Sequence, residues 1–401
     1  MSSIRPRAKA TAKALVVPVV LLSAVLAHGG EPARNPPVFE VTHLAPLGGT
    51  GSRGNAINER GWVAGFADLP ADAARIATLW RDDEPTPLGT LGGTHSSVPW
   101  PGLNNPGMVV GIAQTGEPDP LGEEWSCSAF IPFTGNTCLG FVWEAGRMRA
   151  LPTLGGNNGF ATGVNSRGQI VGWAENDVED PTCTGTQVLQ FRAVVWEPTT
   201  DRIRVSELAP YPGDTSSAAT AINERGQVVG ISGICDIAVG RFSAAHAVLW
   251  DKGTPIDLGN IGGMTWNTPM AINDRGEVTG FANVADTEAG DFNAHAFYWS
   301  RQTGMQPLGT LPGNTLSQGH GINARGQVVG VSFGGTGGTR AFFWEGGELH
   351  NLNDLVAPGY TGFLVDARDI SDSGEITGSA VDHTGATVPF VAKPVGRQGN
   401  P

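Results

Sequence analysis

Short apolar segments alternate with turn-forming residues along most of the chain, and one ten-residue pattern of apolar and polar positions recurs. An apolar residue precedes an Asn, two further residues lead to a Gly, and a short apolar segment then ends in a second Gly. The copies that are most alike are AINERGQVVG (221–230), AINDRGEVTG (271–280) and GINARGQVVG (321–330). Two apolar segments joined by a tight polar turn predict a β-hairpin.

Seven copies of this hairpin pattern can be aligned, and they start at residues 56, 102, 163, 221, 271, 321 and 369. The Asn side chain can cap its own turn, and the first Gly predicts a backbone with positive φ. The second Gly predicts a close approach of neighbouring backbone. In the seventh copy Ser371 replaces the Asn. The turn residues are Asn58, Gly61, Asn104, Gly107, Asn165, Gly168, Asn223, Gly226, Asn273, Gly276, Asn323, Gly326 and Gly374.

Two further strands complete each repeat. One ends in Trp in most copies, as in IATLW (76–80) and HAFYW (295–299), and the other ends in Leu-Gly letters, as in PLGTLGG (87–93). Successive copies start 46 to 61 residues apart. Four antiparallel strands in a unit of about 50 residues, repeated seven times, predict an all-β, seven-bladed β-propeller. A β-solenoid is the alternative, although its repeats are usually shorter.

The two ends of the repeat region predict how the ring closes. Residues 38–44 contain only the fourth strand type, and the last repeat stops after its third strand, at 388–394. An N-terminal strand that pairs with the last blade would complete that blade and leave no exposed edge. Seven uninterrupted blades that begin at residue 38 are the alternative. We therefore predict a propeller over 38–394, with the hairpins innermost, followed by a disordered tail, 395–401.

The N-terminal segment predicts export. Four basic residues up to Lys13 precede an apolar run, 14–27, that ends in small side chains. This order is typical of a secretory signal peptide, 1–27, which a linker, 28–37, would join to the propeller. An uncleaved anchor is the alternative, but a membrane-spanning helix needs about 20 apolar residues. We expect an extracellular or periplasmic monomer with no membrane span after cleavage.

The charge of the chain argues against one class of partner. There are 25 Lys and Arg against 38 Asp and Glu, a net charge of −13, and removal of the four signal-peptide bases would leave 21 against 38, or −17. Such a surface repels phosphate backbones, so nucleic acid is not an expected partner. The sequence contains no Walker, dinucleotide-binding or G-x-S-x-G fingerprint, and we expect no cofactor.

Four repeats carry insertions between the hairpin and the Trp strand. These insertions contain twelve acids and a single base, Arg241. Loops between equivalent strands project from the same face of a propeller, so the insertions predict one acidic functional surface. They span 112–140, 173–190, 231–244 and 281–294.

All four cysteines lie in these insertions. In an exported protein an even number of cysteines predicts disulfide bonds, and four cysteines allow three connectivities. We favour Cys127–Cys138, which closes a local loop, together with Cys183–Cys235, which would join the insertions of adjacent blades. Such bonds would hold the loops in place.

One acidic segment suggests a cation. Hard oxygen ligands of the kind that Ca²⁺ prefers cluster at Asp286, Glu288, Asp291 and Asn293, and a second cluster occurs in ENDVED (175–180). Neither segment matches the EF-hand calcium loop. A solvated acidic surface is the alternative to a calcium site.

One column of the hairpins suggests an anion site. Five turns carry an Arg in the same position, and in a closed ring these side chains would encircle one mouth of the propeller. An anion-binding collar is one interpretation. The other is that each Arg pairs with a neighbouring acid such as Glu59, Glu224 or Asp274, and exposed pairs of that kind contribute little to stability. The five residues are Arg60, Arg167, Arg225, Arg275 and Arg325.

The columns AINxxGQVVG, HAFxW and LGTLGG resemble the HAF repeat of exported bacterial proteins. The triplet that names the family is intact at 295–297, with HAV at 246–248 and RAF at 340–342, and the resemblance covers about 38–394. It implies an extracellular or periplasmic protein with a propeller-like fold, and it implies no catalytic residue. The Gly hairpin and the Trp strand are also similar to kelch-type blades.

Two functions are compatible with these features. The first is a non-catalytic binding or surface-interaction protein whose acidic insertions contact an extracellular protein or a glycan. The second is a propeller enzyme of the glycoside hydrolase or polysaccharide lyase type, in which carboxylates of the insertions act as acid and base. An enzyme would need two or three polar side chains that converge in a deep pocket.

Overall fold

The computed structural model describes residues 35–123, 125–199, 202–238 and 240–397. The expected signal peptide and most of the linker, 28–34, lie outside the described residues, as do 398–401. The described residues contain 28 strands, one short helix, α1 (Trp125–Ser128), and three one-turn 3-10 helices, Pro70–Asp72, Arg241–Ala244 and Leu352–Leu355. Among them no helix is both long and apolar enough to span a membrane.

The strands form seven antiparallel sheets of four strands each, which confirms the seven-bladed β-propeller. We number the sheets as blades along the chain. Blade 1 contains β2 (Ser52–Ile57), β3 (Val63–Asp68), β4 (Arg75–Arg81) and β5 (Glu84–Pro87); blade 2 contains β6 (Gly92–Ser97), β7 (Val109–Pro118), β8 (Asn136–Glu144) and β9 (Arg147–Ala150); and blade 3 contains β10 (Gly155–Val164), β11 (Ile170–Glu179), β12 (Leu189–Pro198) and β13 (Ile203–Glu207).

The remaining blades repeat this order. Blade 4 contains β14 (Ser216–Ile222), β15 (Val228–Gly233), β16 (His246–Asp251) and β17 (Thr254–Asp257); blade 5 contains β18 (Thr268–Ile272), β19 (Val278–Asn283), β20 (Ala294–Ser300) and β21 (Gly304–Gly309); blade 6 contains β22 (Leu316–Ile322), β23 (Val328–Phe333), β24 (Arg340–Glu345) and β25 (Glu348–Asn351); and blade 7 contains β26 (Phe363–Ile370), β27 (Ile376–Val381), β28 (Thr387–Arg397) and β1 (Pro37–His43).

The N-terminal strand closes the ring as the repeat count predicts. β1 pairs antiparallel with β28, and the order β1-β28-β27-β26 makes it the outer strand of blade 7. Seven uninterrupted blades are therefore the wrong alternative. β28 also continues to Arg397, because Gly396 and Arg397 pair with Val38 and Pro37. The expected boundary at 394 is thus three residues early, and 395–397 are strand rather than tail.

The Trp column of the third strands holds adjacent blades together. Trp80, Trp196 and Trp250 are almost completely buried. Each indole N–H donates to a carbonyl oxygen that follows the fourth strand of the preceding blade, at 2.7 Å for Ala45, 2.8 Å for Pro152 and 2.7 Å for Ala209. A large buried ring stabilises the contact between two blades by packing, and the hydrogen bond of its N–H fixes the orientation of the ring. This contact explains why the strand ends in Trp.

The Asn column links the turns into a ring. Each Asn Oδ1 accepts backbone N–H groups of its own turn, as predicted, but its Nδ2 also donates to the next turn along the ring. The distances from Nδ2 to the next carbonyl oxygen are 3.1 Å for Asn58 to Asn104, 3.0 Å for Asn104 to Asn165, 3.2 Å for Asn165 to Asn223, 3.0 Å for Asn223 to Asn273, 2.9 Å for Asn273 to Asn323 and 3.1 Å for Asn323 to Ser371.

The amide link is missing at the seventh junction, because Ser371 has no amide to donate. This junction keeps a second kind of link that other turns also have: the Glu59 carboxylate of blade 1 accepts the backbone N–H groups of Asp372 at 2.7 Å and Ser373 at 3.2 Å, as Asp274 Oδ1 accepts the N–H of Glu224 at 2.9 Å. The seven turns therefore lie side by side at one end of the sheets. We call this end the turn face.

The turn glycines are required for two reasons. Gly226 has a φ of 79°, and the guanidinium of Arg167 from the preceding blade would lie 2.9 Å from any Cβ at this position. The second Gly of the pattern meets backbone, as predicted: a Cβ on Gly230 would lie 2.1 Å from the carbonyl oxygen of Ala218 on the first strand. Both columns therefore depend on the absence of a side chain.

Candidate functional site: the insertion face

The loops between second and third strands lie at the end opposite the turn face, because the strands within each blade are antiparallel. The connections from a fourth strand to the next blade reach the same end, which we call the insertion face. Four of its loops are long, and they belong to four consecutive blades, 2 to 5. These loops are 119–135, 180–188, 234–245 and 284–293.

Two disulfide bonds hold three of these loops in place, with the pairing that we favoured. Cys127–Cys138 joins α1 to β8 within blade 2, and Cys183–Cys235 joins the loops of blades 3 and 4. Around the second bond the two loops also exchange backbone hydrogen bonds. Asp236 N–H donates to the carbonyl oxygen of Thr182 at 3.0 Å, and its own carbonyl accepts from Thr184 at 2.7 Å.

Aromatic packing fixes the longest loop on the sheet beneath it. The rings of Trp100 and Phe130 are 5.1 Å apart, and those of Phe130 and Phe160 are 4.7 Å apart. Phe160 is completely buried on the first strand of blade 3. Loop 119–135 therefore packs across the boundary between blades 2 and 3.

The acids of the insertions have two different roles, which the sequence alone does not separate. Four of the twelve are buried, namely Glu123, Glu175, Asp180 and Asp236. Asp236, for example, accepts hydrogen bonds from Arg241 at 2.5 Å and from the N–H of Phe242 at 3.2 Å. Burial alone would raise the pKa of Asp236, but these hydrogen bonds outweigh it and hold the pKa below its usual range.

The remaining described acids form the surface charge. Asp119 is half-buried, and Glu124 lies outside the described residues. The expected acidic surface is therefore smaller than the composition of the insertions suggests, since a third of its carboxylates serve as internal acceptors. The exposed acids are Glu117, Asp177, Glu179, Asp286, Glu288 and Asp291.

Two of the buried acids meet at the boundary of blades 2 and 3. Glu123 Oε1 accepts the N–H groups of Val188 at 2.9 Å and Leu189 at 2.7 Å, which anchors loop 119–135 to blade 3. Glu175 Oε2 accepts the N–H of Asn158 at 2.8 Å. Gln187 Nε2 lies 3.2 Å from Glu123 Oε1 and 3.1 Å from Glu175 Oε1.

This arrangement favours a retained proton. Gln187 Nε2 has two hydrogens but three acceptors, since it also lies 2.8 Å from the carbonyl oxygen of Leu189. Burial and the nearby Glu123 charge raise the pKa of Glu175 to about 8, and burial also raises the pKa of Glu123. A proton on the Glu175 carboxyl relieves both the shortage of hydrogens and the repulsion.

Replacing Glu175 with Gln should flatten the pH dependence of stability. The unfolded chain loses the Glu175 proton near 4.5 and the folded chain near 8, so the wild-type free energy of unfolding falls as pH rises between these values. The variant has nothing to ionise and should exceed wild type by on the order of 3 kcal/mol at pH 9, with a smaller difference at pH 5. Urea denaturation at both pH values measures this, with exposed Glu288→Gln as control. Parallel wild-type and Glu175→Gln profiles would contradict it.

Exposed apolar side chains concentrate on the insertion face, a feature that the sequence analysis missed. Met264, in the connection between blades 4 and 5, is 74% exposed, and Leu121 and Phe133 project from loop 119–135. Only Val395, at the far end of β28, lies near the turn face. The exposed large hydrophobic residues of the described chain are Leu121, Phe133, Val178, Ile234, Met264, Phe363 and Val395.

The calcium candidates are not brought together. Asp286, Glu288 and Asp291 are exposed on loop 284–293, and the N–H of Asn293 donates to Asn283 Oδ1 at 2.9 Å. Within the described ranges, no three His, Cys, Asp or Glu side chains are grouped so that they could hold a metal ion.

The Arg column lies on the turn face, but the Arg partners differ from those expected. Arg167 and Arg275 donate to the side chain two residues ahead, Gln169 at 2.7 Å and Glu277 at 2.6 Å. Pairing with the preceding acid is wrong, because that acid is occupied: Glu224 Oε1 accepts the N–H of Ser166 in the preceding turn at 2.8 Å. Glu59 and Asp274 serve the same kind of link.

The other Arg residues of the column differ in their surroundings. Arg325 Nε donates to Gln327 Oε1 at 3.0 Å, and the Arg60 guanidinium lies 5.1 Å from the centre of the Trp62 ring. Arg225 contributes its backbone N–H to the cap of its own turn. The Arg residues of the column thus make their described contacts within their own hairpins. An anion-binding role for them stays a prediction.

Comparison with known proteins gives little further guidance. No protein-family model and no curated protein matches the chain. Among solved structures, the dipeptidyl peptidase 4 of Porphyromonas gingivalis is similar at a TM-score of 0.34 and 11% sequence identity, over 86% of this chain and 52% of that one. The chain thus spans about half of that structure, and a likeness at this level carries no argument about activity.

Proposed function

We propose that this chain is an exported, non-catalytic binding protein whose insertion face docks an extracellular protein partner. The observation that carries the proposal is the position of the exposed apolar side chains, six of seven of which lie at the insertion face. Exposed apolar groups within a polar rim are typical of interaction sites. The two disulfides fit an oxidising compartment outside the cytosol.

The chemistry of the face favours a protein over a glycan. Leu121, Val178, Ile234 and Met264 are aliphatic, and such side chains fit pockets for apolar groups better than they stack on sugar rings. The exposed acids around them complement basic residues on a partner and speed association with it. Since loops 119–135 and 234–245 are pinned by disulfides and packing, binding would not have to order them.

The buried carboxyl pair supports a loop anchor rather than an enzyme. Glu123 and Glu175 are 1% and 0% exposed. Glu123 Oε1 and both oxygens of Glu175 accept hydrogen bonds from the protein. A glycosidic oxygen would have to displace the loop to reach them, whereas acid–base catalysis needs carboxylates in contact with substrate.

The test replaces exposed apolar side chains by Lys at two matched places. Ile234→Lys/Met264→Lys alters the insertion face, and Val395→Lys makes the same change on an exposed side chain near the turn face. The mature protein is used to isolate binders from the extracellular fraction of its host, and the purified binder is then titrated by calorimetry. We expect a protein that binds wild type and Val395→Lys alike but binds the double variant at least about 10-fold more weakly.

Other outcomes would overturn the proposal. Equal affinities for all three proteins would place the interface elsewhere. Binding of a purified glycan, with no protein binder, would replace the partner class. Hydrolysis or eliminative cleavage of a polysaccharide by the purified protein, lost in Glu175→Gln, would replace binding by catalysis. Circular dichroism and the melting temperature verify that each variant is folded.

A further inference from the structure

At two positions of the innermost strands, ionisable side chains occur on one side of the propeller axis only. Blades 6, 7 and 1 carry charged or ionisable residues on these strands, at the positions five and three residues before the Asn column. Those residues, which we call the axial cluster, are His320 on β22, Asp366 and Arg368 on β26, and Arg53 on β2. In blades 2 to 5 the same positions hold uncharged residues, namely Pro99, Pro101, Phe160, Thr162, Ala218, Thr220, Thr268 and Met270.

The single carboxylate of this cluster is already occupied. Asp366 Oδ2 lies 2.5 Å from Arg368 Nε, and Asp366 Oδ1 lies 3.1 Å from His320 Nδ1. Burial and the nearby Arg368 charge lower the pKa of His320, so the imidazole is neutral at pH 7. Arg368 and Asp366 therefore offset each other's charge, and Asp366 forms no ion pair with Arg53, although Asp366 Oδ1 has no hydrogen-bond partner and the Asp366 charge acts on Arg53.

Arg53 is the cation of the cluster that forms no ion pair, although the Asp366 charge favours its charged form. Its Nε is buried without a hydrogen-bond partner, and within the described residues its guanidinium has no ion pair. The contact that it makes is with the Phe66 ring, 5.4 Å from the ring centre. Burial and the charge of Arg368 lower the pKa of Arg53 to about 9, which still leaves it charged at neutral pH.

Among the described residues, no acid forms an ion pair with Arg53. Arg75 lies over the same Phe66 ring at 4.0 Å, but it pairs with Asp68 at 3.1 Å. Three guanidiniums thus share two carboxylates. Burial of a charge without a partner lowers the stability of the folded protein, and buried charges are usually paired with an opposite charge.

We propose that Arg53 is the centre of an oxyanion-binding site at the axis, which takes a carboxylate or phosphate group of a small ligand. The residue is half-buried rather than sealed, and it is the second residue of β2, next to the insertion face. Propellers have a central channel along this axis, and we expect a small anion to reach the guanidinium through it. Arg is suited to the task because its planar fork of N–H donors matches two oxygens of an oxyanion.

This site is separate from the docking surface and from the Arg column. The chain is strongly acidic overall, with a net charge of −13, so a local excess of positive charge in its interior is selective for anions small enough to enter. Arg60 of the turn face belongs to the same blade but lies beyond the other end of β2. It therefore provides a matched control for a change at Arg53.

Calorimetric titration of the mature protein with inorganic phosphate, and separately with acetate, tests the site. We expect saturable one-to-one binding of at least one of them, weakened about 10- to 100-fold in Arg53→Gln and unchanged in Arg60→Gln. Asp366→Asn, which frees Arg368, should tighten binding. Preference between the two ions identifies a phosphate or a carboxylate ligand.

Three results would overturn the proposal. They are the absence of saturable binding of either ion to wild type, equal binding to wild type and Arg53→Gln, and loss of binding in Arg60→Gln alone, which would move the site to the Arg column. Misfolding does not obscure the result, because Arg53→Gln replaces a half-buried side chain that has no ion pair, and it should keep a melting temperature close to that of wild type. Arg53→Lys, which retains the charge without the fork, should bind with intermediate affinity.

Discussion

Replacing Phe39 with Ala is expected to lower the free energy of unfolding by about 3–5 kcal/mol, as for other buried Phe residues. Phe39 lies on the closing strand β1 and is 1% exposed. Its ring packs against Phe343 of blade 6, with ring centres 5.8 Å apart, and its carbonyl oxygen accepts the N–H of Ala357 at 2.8 Å. The residue thus joins the closing strand to blade 6 and to the connection that follows blade 6. Equilibrium unfolding in guanidinium chloride, followed by Trp fluorescence, measures the loss.

The matched control is Phe363→Ala, the same substitution on a 43% exposed side chain of the same blade. It should change stability by no more than about 0.5 kcal/mol. If closure by β1 matters as we argue, Phe39→Ala should also accelerate amide exchange in β28, the partner of β1, before exchange elsewhere. A loss below about 1 kcal/mol, or no change in β28, would show that the ring does not depend on this strand.

Closure by the N-terminal strand was the favoured prediction because the strands of each type can be counted. A strand of the fourth type at 38–44 and a last repeat without one favour pairing of the two ends, while seven uninterrupted blades beginning at residue 38 fit the same sequence and are excluded only by the structure. The hairpins were equally predictable, since an Asn cap and a positive-φ Gly are local requirements that each copy must meet. Because seven copies of the hairpin carry the same local signals, the sequence predicts the seven-bladed architecture.

Contacts between blades could not be predicted in the same way. The Asn Oδ1 serves its own turn, but the partner of Nδ2 is a carbonyl 46 to 61 residues away, and nothing near Asn104 or Asn223 in sequence indicates it. The same reason explains the error over Glu224, whose carboxylate accepts an N–H from the preceding turn. The carboxylate link from Glu59 to the turn of Ser371 joins blades 1 and 7, a pairing that is evident only once the ring is closed.

The sequence predicted where the insertion face lies, but only partly which of its side chains are exposed and which are buried. The lengths of the insertions placed them in blades 2 to 5. The distinction between Glu123, which anchors a loop, and Glu288, which is exposed, depends on N–H groups supplied by another blade. The apolar residues in these polar segments, such as Leu121 and Ile234, were the available signal for a docking surface, although composition alone does not separate a buried from an exposed side chain.

Removing the Cys183–Cys235 disulfide, in Cys183→Ala/Cys235→Ala, is expected to cost about 4 kcal/mol of unfolding free energy. The bond closes a loop with a sequence separation of 52 residues, against 11 for Cys127–Cys138. Chain entropy then predicts about 4 kcal/mol for the first bond and about 3 kcal/mol for the second. Cys235 also packs beside Trp173 and Phe191, so its loss disturbs the core beneath the loops. Urea denaturation of both double variants measures the difference.

The two disulfides should also differ in what they do for the docking surface. Cys183–Cys235 joins two blades, so its removal should release loops 180–188 and 234–245 together, which hydrogen exchange would show as faster exchange at Thr184 and Asp236. Removal of Cys127–Cys138 should affect loop 119–135 alone. Because pre-ordered loops reduce the entropy lost on binding, partner affinity should fall in both variants although no contact residue has changed. Equal losses of stability in the two variants, or unchanged exchange in loops 180–188 and 234–245, would contradict a bond that ties adjacent blades into one rigid surface.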